Sequence, residues 1–334
     1  MYRTLSTDSI KKLQKLPFLG YKLDPSNGAN LLFMPIEVLP MREYTKDDLI
    51  NFLPHFTTFA GIDSDGCVFD TMEIKQKNHF HPAIIRHWGL ESIEPQVRAA
   101  AEFVYLYSTY RGLNRFLGLC KTFELLNDWP DARDNAALPD PADLRSYCDS
   151  GLPLSNATLQ AEAERTGSRL LAEAYDWSVA LNEDIDQNMS DPPPFSGVEK
   201  ALERIRDHSD AIVISQTQAV ALLKDWYRDD LAKYVSVIAG PELGSKIDHF
   251  TMAAVNRYPS RAILMIGDAP GDMATAQAIG CNFYPINPGY EVESWKRFMD
   301  EAYEEFLSGG FSEDYQGKIN REFKALLPGT PPWK

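Results

Sequence analysis

From residue 197 onward the chain alternates short apolar runs with amphipathic stretches, and this alternation limits the fold more than any other feature. The apolar runs are Ala211-Ile212-Val213-Ile214, Val235-Ser236-Val237-Ile238-Ala239, Ala262-Ile263-Leu264-Met265-Ile266 and Asn282-Phe283-Tyr284-Pro285-Ile286. Between them, residues 197–207, 219–229, 246–256 and 273–279 carry helical spacing. Strands that are apolar on both faces must be covered on both sides, and parallel neighbours need helical crossovers. The pattern therefore predicts an α/β fold, a Rossmann-like doubly wound parallel sheet. A run of the same character, Thr57-Thr58-Phe59-Ala60-Gly61-Ile62, stands far upstream and is assigned to the same sheet.

The chain between these two parts has a different texture. Residues 95–129 hold apolar side chains at helical spacing, predicting one long helix or two broken near Gly112 or Gly118. Residues 155–186 predict a helical pair broken near Gly167, and Asp191-Pro192-Pro193-Pro194 forms a stiff linker because proline fixes φ and removes donors. The expected organisation is a core from residues 57–72 and 192–334, an α-helical cap at 73–191 and an accessory segment at 1–56. In that segment a helix is expected over 6–16, a turn at Asn27-Gly28, a strand over 31–34 and a capped helix over 44–53.

Composition narrows the setting. With 33 basic against 48 acidic residues, the net charge is -15. This argues against a protein held by charge on nucleic acid or an anionic membrane. No apolar stretch approaches the ~20 residues that span a bilayer, and the first residues lack the apolar run of a signal peptide. The four cysteines, Cys67, Cys120, Cys148 and Cys281, have no metal-ligand spacing and are too few for a disulfide scaffold. A cytoplasmic location is the expectation.

The chemistry gathers at strand ends. The first run stops at Asp63-Ser64-Asp65-Gly66, and side chains at i and i+2 of a strand share a face. Two close carboxylates are tolerable with a cation between them or a proton on one. The second run ends at Ser215-Gln216-Thr217, the third is followed by Gly244-Ser245-Lys246, and the fourth ends at Gly267-Asp268-Ala269-Pro270-Gly271-Asp272. In a doubly wound sheet these carboxyl ends share one edge. Carboxylates, a lysine and a hydroxyl at one edge suit phosphoryl transfer, which needs a nucleophile, a cation, donors for phosphate oxygens and a proton donor.

These four ordered motifs resemble the haloacid dehalogenase-like hydrolase superfamily, in its phosphatase-type branch with a helical cap after the first motif. The resemblance covers residues 57–72 and 192–290 and does not cover 1–56. It implies Asp63 as nucleophile and Asp65 as general acid and base. It implies Ser215 as a donor to a phosphate oxygen and Lys246 as offsetting charge between phosphate and nucleophile; Gln216, beside Ser215, is a candidate substrate-binding residue. It implies Mg²⁺ held by Asp63, Asp268 and the backbone carbonyl of Asp65, with Asp272 in the metal shell or orienting the lysine. Cys67 stands where threonine is common and is expected to be inert. The implied activity is a Mg²⁺-dependent phosphatase for a small phosphorylated metabolite. A phosphomutase, a haloacid dehalogenase and a non-catalytic sensor or scaffold are the alternatives. Asp65 counts against the dehalogenase, whose leaving halide needs no acid. Arg111 and Arg115, one helical turn apart, are candidate substrate contacts on the cap, against a solvated or salt-bridged face. His79 and His81 alternate as strand metal ligands would, although a surface role near the cap hinge is the stronger expectation.

Overall fold

Among the described residues, five strands form the sheet: β1 (Phe59–Ile62), β2 (Asp210–Ile214), β3 (Val237–Ala239), β4 (Ile263–Gly267) and β5 (Asn282–Pro285). All pairings are parallel, in the order β3-β2-β1-β4-β5. Every strand residue is buried, as the apolar composition requires. The protein is an α/β fold of Rossmann-like topology. These features belong to a computed structural model that describes residues 42–334. The helix, turn and strand expected over 6–16, at Asn27-Gly28 and over 31–34 lie outside the described residues. The helix expected over 44–53 is the shorter Lys46–Ile50.

The chain leaves β1 to build β2 and β3 on one side, then crosses to β4 and β5 on the other. The order therefore reverses at β1, where open α/β sheets form a ligand crevice beyond their carboxyl ends. Ile62 is in register with Val213 of β2 and Ile266 of β4. The residues that follow on three adjacent strands thus emerge side by side. The Asp63 amide donates to the Ile266 carbonyl at 2.9 Å, and the Ser215 amide donates to that of Ala239 at 3.0 Å.

Both faces of the sheet are covered. One apolar cluster packs Ala60, Ile62, Val213 and Leu264 against helices Val198–His208 and Ala219–Arg228 and aromatic residues of the C-terminal region. The opposite cluster packs Phe59, Ile212 and Met265 against helices Lys246–Ala253, Pro270–Ile279 and Glu313–Leu326. Gly61 has a packing reason here, because a Cβ at that position would overlap the Phe250 ring and the Ile214 side chain. Phe250 lies one turn after Lys246, so the same close approach seats the start of that helix near the end of β1. A capping box fixes that start: the Ser245 amide donates to the Asp248 carboxylate at 2.8 Å, and the Asp248 amide donates to Ser245 Oγ at 3.2 Å.

Between β1 and β2 the chain forms a helical insertion with its own apolar cluster, including Phe80, Ile84, Val97, Phe123 and Trp177. Residues 95–129 resolve into two helices, Glu94–Tyr105 and Arg115–Asn127. The break contains Gly112 at φ 79°, a left-handed conformation suited to glycine. Arg111 therefore lies in a turn and Arg115 opens the next helix, so the expected shared helical face does not form. His79 and His81 are helical rather than extended and do not converge as strand ligands would. His79 Nδ1 pairs with Asp184 at 2.7 Å, and His81 is buried beside it in sequence. The two connections to the core meet: Phe69 bridges Pro194 in antiparallel fashion, and the Phe195 amide donates to the Val68 carbonyl at 2.9 Å.

Candidate active site

Strand β1 ends directly at Asp63, whose side chain is almost fully buried. The loop beyond it is braced by two tryptophans, Trp226 Nε1 donating to Ser64 Oγ at 3.0 Å and Trp295 Nε1 to the Cys67 carbonyl at 2.8 Å. The Ser64 amide donates to Asp63 Oδ1 at 2.8 Å. Lys246 Nζ approaches Asp63 Oδ2 at 2.8 Å and Asp272 Oδ1 at 2.5 Å. Asp272 Oδ2 accepts from the amides of Asp268 at 3.1 Å and Ala269 at 3.0 Å. Asp272 therefore both caps its helix and holds the lysine. Gly267 makes room for it, since a Cβ there would stand 2.6 Å from the Asp272 Cβ.

The charge states follow from this crowding. Burial pushes the Asp63 carboxyl well above its ordinary range; Lys246 opposes this, while Asp272 and Asp268 add to it. Burial also disfavours the Lys246 charge, but the carboxylates of Asp272 and Asp63 outweigh it, so the lysine stays protonated. Asp268 is pushed up to about 6 by burial, against the pull of Arg111 and with the push of Asp272.

Asp65 has different surroundings. Its Oδ2 pairs with Lys75 Nζ at 2.5 Å and accepts from Thr217 Oγ1 at 2.8 Å. Burial raises its pKa, yet Lys75 and the hydrogen bonds prevail and hold the carboxyl below the usual range. Ser215 is buried, and its Oγ accepts from the Thr217 amide at 3.1 Å. Gln216 is exposed, its amide nitrogen resting on the Ser215 carbonyl at 3.3 Å. Burial and the nearby carboxylates drive the Cys67 thiol far above its ordinary pKa, which makes it a poor nucleophile.

The structure brings together Asp63, Lys246, Asp268 and Asp272, with Asp65 close by in the chain. Oxygens of Asp63, Asp268 and Asp272 lie within 4.8 Å of one another. Asp268 Oδ1 is buried without a partner among the described residues. Such an all-oxygen set with an unused buried acceptor fits a hard divalent cation such as Mg²⁺. The Asp65 carboxylate stands outside that set, in keeping with a contribution through its backbone carbonyl alone.

The two arginines part company. Arg111 reaches Asp268 Oδ2 through Nε at 2.8 Å and Nη2 at 2.7 Å, both side chains being only 2% exposed. Arg115 does not reach this edge. Its Nη1 donates to Ser178 Oγ at 3.0 Å and Asn182 Oδ1 at 2.7 Å, and its guanidinium lies over the Phe80 ring. These partners all belong to the insertion, so the Arg115 candidacy as a substrate contact is corrected to a packing role. Sequence reasoning missed Lys75 and placed Thr217 at the second strand end without giving it a role. That role could have been read from its i+2 spacing to Ser215, whereas Lys75 sits in a widened π-helical turn, Lys75–Phe80, that no local pattern announces.

No family model and no curated protein sequence matches the chain. Solved structures do. One, named as a candidate phosphoglycolate phosphatase from Lactobacillus delbrueckii subsp. bulgaricus, is 14% identical, covering 81% of this chain and 99% of its own, with TM-score 0.42. A 2-haloacid dehalogenase from Pseudomonas syringae pv. Tomato is 20% identical, with coverages of 68% and 84% and TM-score 0.35. A magnesium-bound candidate haloacid dehalogenase-superfamily hydrolase from Bacillus subtilis is 12% identical, with coverages of 68% and 86% and TM-score 0.36. The Bacillus subtilis structure is named as a candidate haloacid dehalogenase-superfamily hydrolase, and the chemistry of the site stands on its own residues.

Proposed function

We propose that the protein is a Mg²⁺-dependent phosphatase of the haloacid dehalogenase-like type, acting on a small cytosolic phosphate monoester. The observation that carries this reading is the division of labour between two carboxylates on one strand end. Asp63 faces Lys246 and the acidic cluster, whereas Asp65 is drawn aside by Lys75 and Thr217. A nucleophile and a separate acid–base group are what phosphate ester hydrolysis requires.

In this reaction an Asp63 oxygen attacks phosphorus, forming an aspartyl phosphate as the bond to the leaving oxygen breaks. Asp65, ionised while it pairs with Lys75 and Thr217, takes up a proton from the incoming phosphate monoanion or from water, gives it to that leaving oxygen, and then takes one from the water that cleaves the aspartyl phosphate. Lys246 offsets the negative charge shared by Asp63 and the phosphoryl group, and Asp272 keeps its ammonium in place. Ser215 donates to a phosphoryl oxygen, and Gln216 lies at the rim for the remainder of the ligand. A cation held by Asp63, Asp268 and the Asp65 carbonyl supplies, when bound, charge neutralisation for the phosphoryl oxygens. The helical insertion acts as a cap that limits water at the edge.

The test is phosphate release from a panel of phosphorylated metabolites with Mg²⁺, comparing the protein with its Asp63→Asn variant. Release abolished by chelator and by the substitution supports the reading; undiminished release by the variant would overturn it. One observation favours a second reading. The buried Arg111–Asp268 pair neutralises a metal-holding carboxylate, as a metal-free dehalogenase would permit, but that reaction leaves Asp65 without a task. Halide release from 2-haloacids in excess chelator would establish it instead.

A further inference from the structure

We propose that Arg111 and the divalent cation compete for Asp268, so that cation binding expels an arginine of the insertion from the catalytic edge. This rests on reading the acidic cluster as the metal site. Three features place the guanidinium against the residues that would hold the cation. Both Nε and Nη2 donate to Asp268 Oδ2, which leaves only Oδ1 of that carboxylate for a cation and sets a positive charge directly beside it. The guanidinium also lies against the first loop: a Cβ built on Gly66 would stand 2.6 Å from Arg111 Nη2 and 2.6 Å from Asp268 Oδ2. Gly66 directly follows Asp65, whose carbonyl is the other ligand the cation needs, so the guanidinium lies beside the loop that carries that carbonyl. Finally, the arginine is held there by its own element. Its Nη1 donates to the Leu106 carbonyl at 2.9 Å, its amide closes a turn onto the Ser108 carbonyl at 3.0 Å, and Gly112 abuts Ala269.

The charges make sharing unfavourable. Lys246 and Arg111 together answer two of the three carboxylates Asp63, Asp268 and Asp272. A divalent ion added beside an immobile guanidinium in a water-poor site meets strong repulsion, whereas exchanging one for the other preserves the balance. Because linkage is reciprocal, whatever weakens the Arg111 contact must tighten cation binding, and the cation must loosen the 106–114 turn.

Mn²⁺ is a suitable probe, since the unbound ion is counted directly by its electron paramagnetic resonance signal. Arg111→Gln retains bulk and removes the charge. We expect it to bind Mn²⁺ at least about tenfold more tightly than the wild type, a difference of about 1.4 kcal/mol. Equal or weaker binding would overturn the proposal and make Arg111 a support for Asp268 as ligand. If neither protein binds Mn²⁺, the metal reading of the site itself fails and the proposal falls with it. Should the variant not fold, the wild type still decides through hydrogen exchange of residues 106–114. Faster exchange with saturating Mn²⁺ supports competition, and unchanged or slower exchange overturns it.

Discussion

Asp63 and Asp65 are separated by one residue, and burial raises the proton affinity of both, yet only at Asp65 do the neighbours, Lys75 first, outweigh it and lower the net value. Neutralising Asp63 should remove turnover but relieve the fold. We predict that Asp63→Asn lowers kcat by several orders of magnitude while its melting temperature equals or exceeds the wild type's, because a carboxylate disfavoured by burial is no longer there. A lower melting temperature would show that the charge stabilises the fold. Buried histidines give a second residue-scale prediction. Burial, with Arg98 and Lys77 nearby, holds His81 down to about 3, and burial holds His249 down to about 4. Both are neutral in the fold but protonate near pH 6.5 when unfolded. Above that pH they cost nothing; as pH falls from about 6.5 toward 4 the unfolded chain takes up protons that the native protein refuses. Each then removes up to about 1.4 kcal/mol of stability per pH unit. The raised carboxyls of Asp63 and Asp268 act with opposite sign, so the informative quantity is the change on substitution. Denaturant melts at pH 7 and pH 5 should show a smaller acid loss for His249→Gln than for wild type; an unchanged loss would exclude the histidine as its source. Asp63, Lys246, Asp268 and Asp272 were readable as chemistry because each follows an apolar run or opens the helix after one. Lys75 was not readable, because its partner Asp65 is reached only through the path of a π-helical turn.

Strands and helices differ in how much of their arrangement the sequence discloses. The apolar runs identified four of the five strands within two residues at either end and β1 within two at its start, since a buried parallel strand has almost no freedom of composition. The helical insertion was legible as helix but not as packing. Helical spacing says that Phe116 and Leu119 face inward, yet not that Gly118 admits the Tyr105 ring, whose hydroxyl donates to the Arg115 carbonyl at 3.0 Å. The same limit misplaced Arg115: a spacing of four suggests one helical face only if both residues are helical, and Gly112 ends that assumption. We predict that Arg115→Ala leaves kcat/KM unchanged for every substrate but destabilises the protein by about 1–3 kcal/mol through lost hydrogen bonds and packing on Phe80. A selective change in substrate preference without loss of stability would return Arg115 to the ligand. Gly267→Ala should do the reverse. Its added methyl meets the Asp272 side chain and would displace the carboxylate that holds Lys246, so activity should fall by about a hundredfold or more. Activity near wild type would mean that the Lys246–Asp272 pair does not depend on that clearance.

At the scale of the whole molecule, the insertion is tied to the core by more than its two chain connections. The crossing at Phe69 and Pro194 puts both links side by side, a geometry suited to rotation about one short axis. A third tie comes from the far end of the sequence and was invisible in it. Trp333 stacks on Trp129 with ring centroids 4.5 Å apart and planes 13° from parallel, and it also meets Phe103 edge-on at 5.8 Å. Lys334 pairs with Asp128 at 2.8 Å, and the Thr109 amide donates to the Pro328 carbonyl at 3.3 Å. Thr109 lies two residues before Arg111, so this strap grips the same turn that reaches Asp268. If the insertion closes over bound substrate, as phosphoryl transfer away from bulk water favours, the strap must either ride with it or resist it. The strap follows the core's last helix, Glu313–Leu326, and its contacts through Pro328, Trp333 and Lys334 exist in the arrangement where Arg111 is seated. The strap therefore stabilises the seated state. We predict that Trp333→Ala speeds hydrogen exchange in residues 106–114 in the absence of metal. It should also shift the population toward wider separations between a fluorophore pair placed on the insertion and the core. An aromatic contact of this kind is worth about 0.5–1.5 kcal/mol beyond its buried area, enough to change the open-to-seated ratio several-fold without unfolding either part. Unaltered exchange and distances in a normally folded Trp333→Ala protein would mean that the two chain connections alone govern the motion.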